Sequence, residues 1–481
     1  MSFLSSAQNY NNSRTTTTTN GMTANRTTGS SLTDLFGSIA SSRGKPQYAK
    51  FAAALEEDED KALRILLWTR DILKGAGERK QFRDLMSYLD TNHPEIASKL
   101  IHKIPELGRW DDLFVFQKPS NVEKAMTLYG QALSEGNQLA AKWAPREKSS
   151  KRSDAYKLRK HLKLKPKEYR KLLVRNTDVV ETNMCANNWD NINYSHVPSI
   201  AAFRYQKAFG KHSPTKYSLY LEALQKGDSP KSVKVNAGAL YPHDIVKSLL
   251  RGDGVIATEQ WKNLTNFCDD TRILPMVDVS GSMGSLHPSA SHGRNSPLTP
   301  AVVAVSLGLY LSEKNTSSFK DLFMTFNSRP EFVHLKGDIN SRLRQMATSS
   351  WGMNTNISAA FDSILNLAIQ YNLPEEDMPE YLLILSDMQF DVCASSGYNP
   401  SAVQMIQSKY TIAGYKVPKI IFWNLAATTS NSPVKFGQEG TALVSGFSPS
   451  ILTSILSGKL DNFSSENVML ETIMSSRYDY L

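Results

Sequence analysis

The sequence predicts a multidomain chain: an N-terminal all-α helical-repeat (solenoid) domain followed by an α/β Rossmann-like domain. Two patterns predict it. Up to about residue 268, apolar residues recur at helical spacing, and no run alternates with period two for long enough to make a sheet. From about residue 269, short apolar runs alternate with amphipathic stretches, the pattern of a mostly parallel sheet covered on both faces. A length of 481 residues has room for two or three domains.

Residues 1–33 contain 20 Ser, Thr or Asn, including Thr15 to Thr19. So polar a stretch predicts a disordered tail. The helical domain is expected over 34–268. Its periodic runs include Phe51 to Leu55, Ala62 to Leu73, Ile96 to Ile104, Asn121 to Trp143, Lys165 to Leu173, Ser199 to Phe209, Lys216 to Leu224 and Asp244 to Leu249. Gly75-Ala-Gly77 breaks the pattern. No fixed period stands out, so any HEAT-like repeats are degenerate. Over 269–481, strands are expected at 273–278, 320–326, 331–335, 381–387, 419–425 and 441–446, the third as an antiparallel edge. Helices are expected at 299–313, 338–348, 356–371, 400–413 and 448–457. Pro275, lacking an N–H, is read as the start of its strand.

Charge is uneven. Residues 146–175 hold thirteen cations: Arg146, Lys148, Lys151, Arg152, Lys157, Arg159, Lys160, Lys163, Lys165, Lys167, Arg170, Lys171 and Arg175. Against three acids this segment is +10 of the chain's +9, so the remainder sums to about −1. A local excess points to a polyanion surface, and Tyr156, His161 and Tyr169 among the cations suit single-stranded RNA. The longest apolar run, Ala301 to Leu311, is too short to span a bilayer. The N-terminus is polar, and Cys185, Cys268 and Cys393 form no disulfide pattern. A cytoplasmic location with no membrane partner is expected.

Asp278-Val-Ser280-Gly-Ser282 follows the apolar run Ile273-Leu-Pro-Met-Val277 and precedes a helical pattern. Three oxygen side chains at a strand end suit Mg²⁺ or Mn²⁺. Thr355 lies in a loop that opens another helix, and Asp387 closes the buried-looking strand Tyr381-Leu-Leu-Ile-Leu-Ser-Asp387.

Together these segments resemble the metal-ion-dependent adhesion site (MIDAS) of von Willebrand factor A (vWA) domains. That resemblance implies a metal held by Asp278, Ser280, Ser282, Thr355 and Asp387, and a protein partner that supplies an Asp or Glu to it. It also implies an earlier helix than the Gly284 to Pro300 loop allows, so the loop is an insertion beside the site. The helical half carries Lys74-Gly-Ala-Gly-Glu-Arg79, Gly108-Arg-Trp-Asp111, His196-Val-Pro-Ser199 and Tyr241-Pro-His243. Placed before a vWA domain, these segments resemble the TROVE architecture of the Ro autoantigen family. They are similar, closer still, to an uncharacterised branch of vWA proteins of plants, protists and viruses. The resemblance implies a ribonucleoprotein component that binds structured or single-stranded RNA.

The residues do not suggest an enzyme. A nucleophile elbow would need Gly at position 280, and His334, the last histidine, precedes Asp387. No His-Glu-x-x-His or Walker loop is present. Two readings remain: a Ro-like RNA-binding protein whose vWA domain recruits a partner, or a vWA-based protein–protein adaptor without RNA binding. Arg79 and Trp110 are expected to be structural, tying helix ends and anchoring the core.

Overall fold

The computed structural model describes residues 15–42, 44–226, 233–252, 254–268, 270–286, 298–326, 329–349, 356–391, 401–427, 431–456 and 462–480. The chain divides into two compact units. Met1–Ala62, Tyr241–Asp253 and Thr265–Met474 form an α/β unit; Leu63–Leu240, Gly254–Leu264 and Ser475–Leu481 form a helical unit. Neither boundary is the expected cut at 268/269.

In the helical unit, prolines set helix starts. Helices open at Pro94, Pro119, Pro166 and Pro214, where a missing N–H costs nothing and a fixed φ already suits the helix. Sequential helices pack at Arg79–Asn92 with Pro94–Leu100, and at Ser199–His212 with Pro214–Lys226. Between them the order interleaves: Pro119–Ser134 packs on Arg152–His161, and Gln138–Trp143 on Pro166–Asn176. The break at Gly75 has a steric cause, because a Cβ there would lie 2.1 Å from the Trp68 carbonyl oxygen. The last residues belong here since Arg477 pairs with Asp71 at 2.5 and 2.7 Å, and the Tyr478 hydroxyl donates to Asp71 at 3.1 Å.

The helical unit is pinned by an ionic cluster. Asp112 accepts from Arg70 at 2.7 Å and from Arg83 at 2.6 Å, with Arg70 and Asp112 both buried. Asp111 pairs with Arg83 at 3.1 Å and Lys151 at 2.8 Å. Gly108 makes room: a Cβ there would lie 2.7 Å from Arg70 Nε. Arg109 stacks over Trp143 at 3.9 Å, and Trp110 meets Tyr129 edge-on at 5.3 Å. The Gly-Arg-Trp-Asp segment is thus structural, as is Trp110. Arg79 is exposed and holds no ion pair among the described residues; Arg70 and Arg83 take the role expected of it.

In the α/β unit, residues 15–33 are not a disordered tail. β1 (Thr15–Thr17) and β2 (Thr23–Asn25) form an antiparallel hairpin. Met22 is buried in the main core, and Leu32, Leu35 and Phe36 of the helix Ser31–Ile39 are buried too. Composition misled because the few apolar residues are placed to be buried, while threonines bond elsewhere in the unit. Residues 1–14 lie outside the described residues.

The sheet comprises β3 (Ile273–Asp278), β4 (Leu322–Phe326), β5 (Phe332–His334), β6 (Tyr381–Ser386), β7 (Lys419–Asn424) and β8 (Thr441–Ser445), in the order β5-β4-β3-β6-β7-β8. All pairs are parallel except β4 with β5, the antiparallel edge. Leu274, Met276, Leu382, Ile384, Ile420 and Phe422 share one face and one core with the helices Ile357–Tyr371 and Ala402–Ala413. On the other face the helix Pro300–Lys314 approaches so closely that a Cβ on Gly308 would lie 2.5 Å from Val277. Pro275 is the third residue of β3, not its start; β4 joins only from Met276. The helix expected over 448–457 is two short turns, Pro449–Ile451 and Leu452–Ile455, and the helix Ser465–Ile473 follows. No helix among the described residues is long and apolar enough to cross a membrane.

Candidate functional site

The chain runs from β3 outward to β4 and β5, then returns to place β6 on the other side of β3. The gap beyond the carboxyl ends of β3 and β6 is therefore the switch point where ligands bind open α/β sheets. Asp278 is the last residue of β3, and Asp387 follows the last residue of β6.

Both carboxylates are buried and both are held by hydroxyls. Asp278 accepts from the Ser280 N–H at 2.8 Å and from the Ser386 hydroxyl at 2.7 Å. The Ser280 and Ser282 hydroxyls lie 3.1 Å apart, and the exposed Ser282 stands near enough to Asp387 to favour its ionised form. Asp387 accepts the Gln389 N–H at 3.2 Å. Met388 between them adopts a left-handed φ of 65°, a conformation that costs a non-glycine residue energy and clusters at functional sites.

Among the described residues, charge here is uncompensated. Burial, then the neighbouring Asp387, push the Asp278 carboxyl from 3.8 up to about 6. Burial also pushes Asp387 up, against the pull of Ser282 and the Gln389 N–H. Neither acid has an ion-pair partner among the described residues. There is likewise no cluster of three His, Cys, Asp or Glu among them. The donors are two carboxylates and hydroxyls, all hard oxygens, which fit a small divalent cation.

Of the five expected ligands, the structure brings together Asp278, Ser280, Ser282 and Asp387. Thr355 lies outside the described residues, as do positions 287–297 of the inserted loop. Asn356 beside it caps the helix Ile357–Tyr371, accepting the Ala359 N–H at 2.9 Å. Ser386 was missed. Its hydroxyl donates to Asp278 and accepts the Met388 N–H at 3.1 Å, tying the two strand ends together. A serine immediately before Asp387 was the signal. The β1–β2 hairpin was missed as well: Thr18 donates to the Phe390 carbonyl at 2.6 Å, and Thr19 N–H to Gln389 Oε1 at 2.7 Å.

The basic segment forms two helices of the helical unit, Arg152–His161 and Pro166–Asn176. Lys151 is held by Asp111 and Arg159 by Glu147 at 2.7 Å. Arg146 donates to the Ala141 carbonyl at 3.3 Å, and Arg175 to Asn176 at 3.4 Å. Lys148, Arg152, Lys157, Lys160, Lys163, Lys165, Lys167, Arg170 and Lys171 are exposed and hold no ion pair among the described residues. The expected stacking rings are mostly engaged elsewhere. Tyr169 is buried with its hydroxyl on the Pro145 carbonyl at 3.0 Å, and His161 lies 3.3 Å from the Thr127 hydroxyl. Tyr156 stays 55% exposed.

Fold and site thus define a two-part chain, helical and then α/β, with a paired-carboxylate site at the sheet's switch point. Two family models match it: Domain of unknown function (DUF2828) over residues 18–108 and 124–272, and Domain of unknown function (DUF7788) over 273–477. The chain is 30% identical to Uncharacterized protein L728 of Acanthamoeba polyphaga mimivirus, over 92% of this chain and 84% of the viral one. It belongs to the same family as that viral protein. The Deinococcus radiodurans RO (RSR) protein is similar among solved structures, at 15% identity and a TM-score of 0.35, covering 92% of each chain. So loose a superposition establishes no shared fold.

Proposed function

We propose that this chain is an RNA-binding protein of Ro-like type whose α/β unit is a vWA-like domain for recruiting a protein partner. The observation that carries the RNA reading is the row of cations on Arg152–His161 and Pro166–Asn176, all but Arg159 exposed and without an ion-pair partner among the described residues. RNA phosphates supply the missing anions. On this reading the protein is a binding protein, not an enzyme, and works in the cytoplasm, where RNA is at hand.

In the α/β unit, Asp278, Ser280, Ser282 and Asp387 would hold Mg²⁺ or Mn²⁺, with Thr355 as the fifth expected ligand. The cation would supply the positive charge that attracts a partner's Asp or Glu. Ser386 keeps Asp278 oriented, and the exposed Ser282 marks the solvent side from which a partner would approach. Two buried acids with no ion-pair partner among the described residues support this assignment.

The test is paired. Labelled single-stranded RNA is titrated against wild type and against a Lys157→Glu, Lys160→Glu, Lys163→Glu variant over a range of salt. The variant should bind more weakly and with a flatter salt slope, losing about 0.7 per contact removed. Equal affinity at low salt would reject this surface. Mn²⁺ titration followed by electron paramagnetic resonance should show one bound ion that Asp278→Ala loses. If wild type binds none, the metal reading fails.

A further inference from the structure

A groove of about 440 Å³ opens within the basic segment of the helical unit. Pro166, Tyr169 and Leu173 make it apolar inside. Arg146, Lys148, Lys167 and Arg170 ring it, with Glu147 as its one acid. Glu147 is already engaged by Arg159 at 2.7 Å. The Tyr169 hydroxyl is committed to Pro145, so the ring contributes carbon to the groove and no free hydroxyl. Four cations therefore surround an apolar recess whose acid is neutralised elsewhere.

A surface that only tracks phosphates needs cations and no recess. A site for an apolar molecule needs a recess, typically about 300–1,000 Å³, but no ring of charge. Both together suit a ligand with a flat, weakly polar body between anionic flanks. An acidic peptide would match the rim and leave the apolar interior unfilled. We propose that this groove seats one base of a single-stranded RNA, with the rim cations on the phosphates to either side. The inference rests on the RNA-binding reading above and adds to it a base-accepting subsite. It also accounts for an RNA surface with few exposed rings: the base enters a recess that Tyr169 helps to line instead of stacking on an exposed ring.

The experiment compares a short labelled oligoadenylate with the same oligomer made abasic, so that length and phosphate count are equal. Wild type should bind the abasic strand about tenfold more weakly, near the low end of what one accommodated base contributes. The salt slopes should match. Lys157→Glu, Lys160→Glu, Lys163→Glu should weaken both strands and keep their ratio. Lys148→Glu, Lys167→Glu, Arg170→Glu should bring the ratio close to one, with circular dichroism checking its fold. Equal wild-type affinity for both strands overturns the groove and leaves the RNA surface standing, an outcome that needs no variant. No affinity for either strand overturns both. Tighter binding of oligoglutamate than of oligoadenylate overturns the base assignment in favour of an acidic peptide.

Discussion

Asp278 and Asp387 are buried among hydroxyls with no ion-pair partner among the described residues, whereas most cations of residues 146–175 stand in solvent, also without an ion-pair partner among them. The two regions thus solve opposite problems. A buried charge must be placed to within a fraction of an ångström, because each bond it lacks costs solvation that nothing else restores. An exposed charge needs only to be near its fellows, since its effect is a field and water already solvates it. The first kind of site depends on the fold; the second depends on composition. The Asp111–Asp112 cluster stands between them, two buried acids paired with Arg70, Arg83 and Lys151.

The largest effect should come from breaking that matched set. Asp112→Ala leaves the buried Arg70 without its counter-charge and Arg83 with Asp111 alone, a loss of about 3–5 kcal/mol. Urea denaturation should show the helical unit destabilised by that amount. If the loss is under about 1 kcal/mol, burying charge there is less demanding than the contrast with solvent-borne charge implies.

Next comes the unmatched pair. Mg²⁺ or Mn²⁺ at about a hundred times its Kd should stabilise the α/β unit by about 2.7 kcal/mol, and Asp278→Ala should abolish that gain. The same variant should leave RNA affinity within about threefold, less than about 0.7 kcal/mol. A larger RNA loss in a folded variant would merge the two sites into one. Gly308→Ala should cost about 1–3 kcal/mol, because Val277 must move to admit the new carbon and β3 carries Asp278. Thermal melts with and without metal would show whether the damage stays in packing or reaches the metal.

The smallest effect concerns pH. Burial pushes the Asp111 carboxyl up, but Lys151, Arg83 and Arg109 more than offset it and hold it below the ordinary range. A depressed value means that the ionised form stabilises the fold above about pH 4 and that this contribution is lost as pH falls through the folded value. Asp111→Asn should flatten the acid limb of a stability-against-pH curve. An unchanged limb would show that the pairs around Asp111 contribute nothing net.

Much of the α/β unit was legible because a parallel sheet writes itself as short apolar runs, and Asp278 and Asp387 fell at the strand ends such a sheet requires. Ser386 was not legible. Its role depends on β3 and β6 being neighbours, and that adjacency is a fact of topology 108 residues apart in sequence. The hairpin over residues 15–25 was hidden for a similar reason: its partners lie near residues 390 and 432, and polar composition gave no sign of them. The basic segment was plain as a charge run, but which cations are committed to Asp111 and Glu147 required the packing.

That hairpin sets a schedule for biosynthesis. Thr18 meets Phe390 across 372 residues, and Met22 joins the core those residues enclose. At about 5–20 residues per second, roughly 20–75 seconds of translation separate the two halves of that contact. The hairpin, paired only within itself, must therefore wait for the segment around Phe390 to be made. Threonine-rich and nearly without apolar side chains, it is suited to waiting in water without aggregating. The docking of this hairpin on the segment around Phe390 belongs among the late steps of folding, when folding of the residues between has already shortened the loop to be closed.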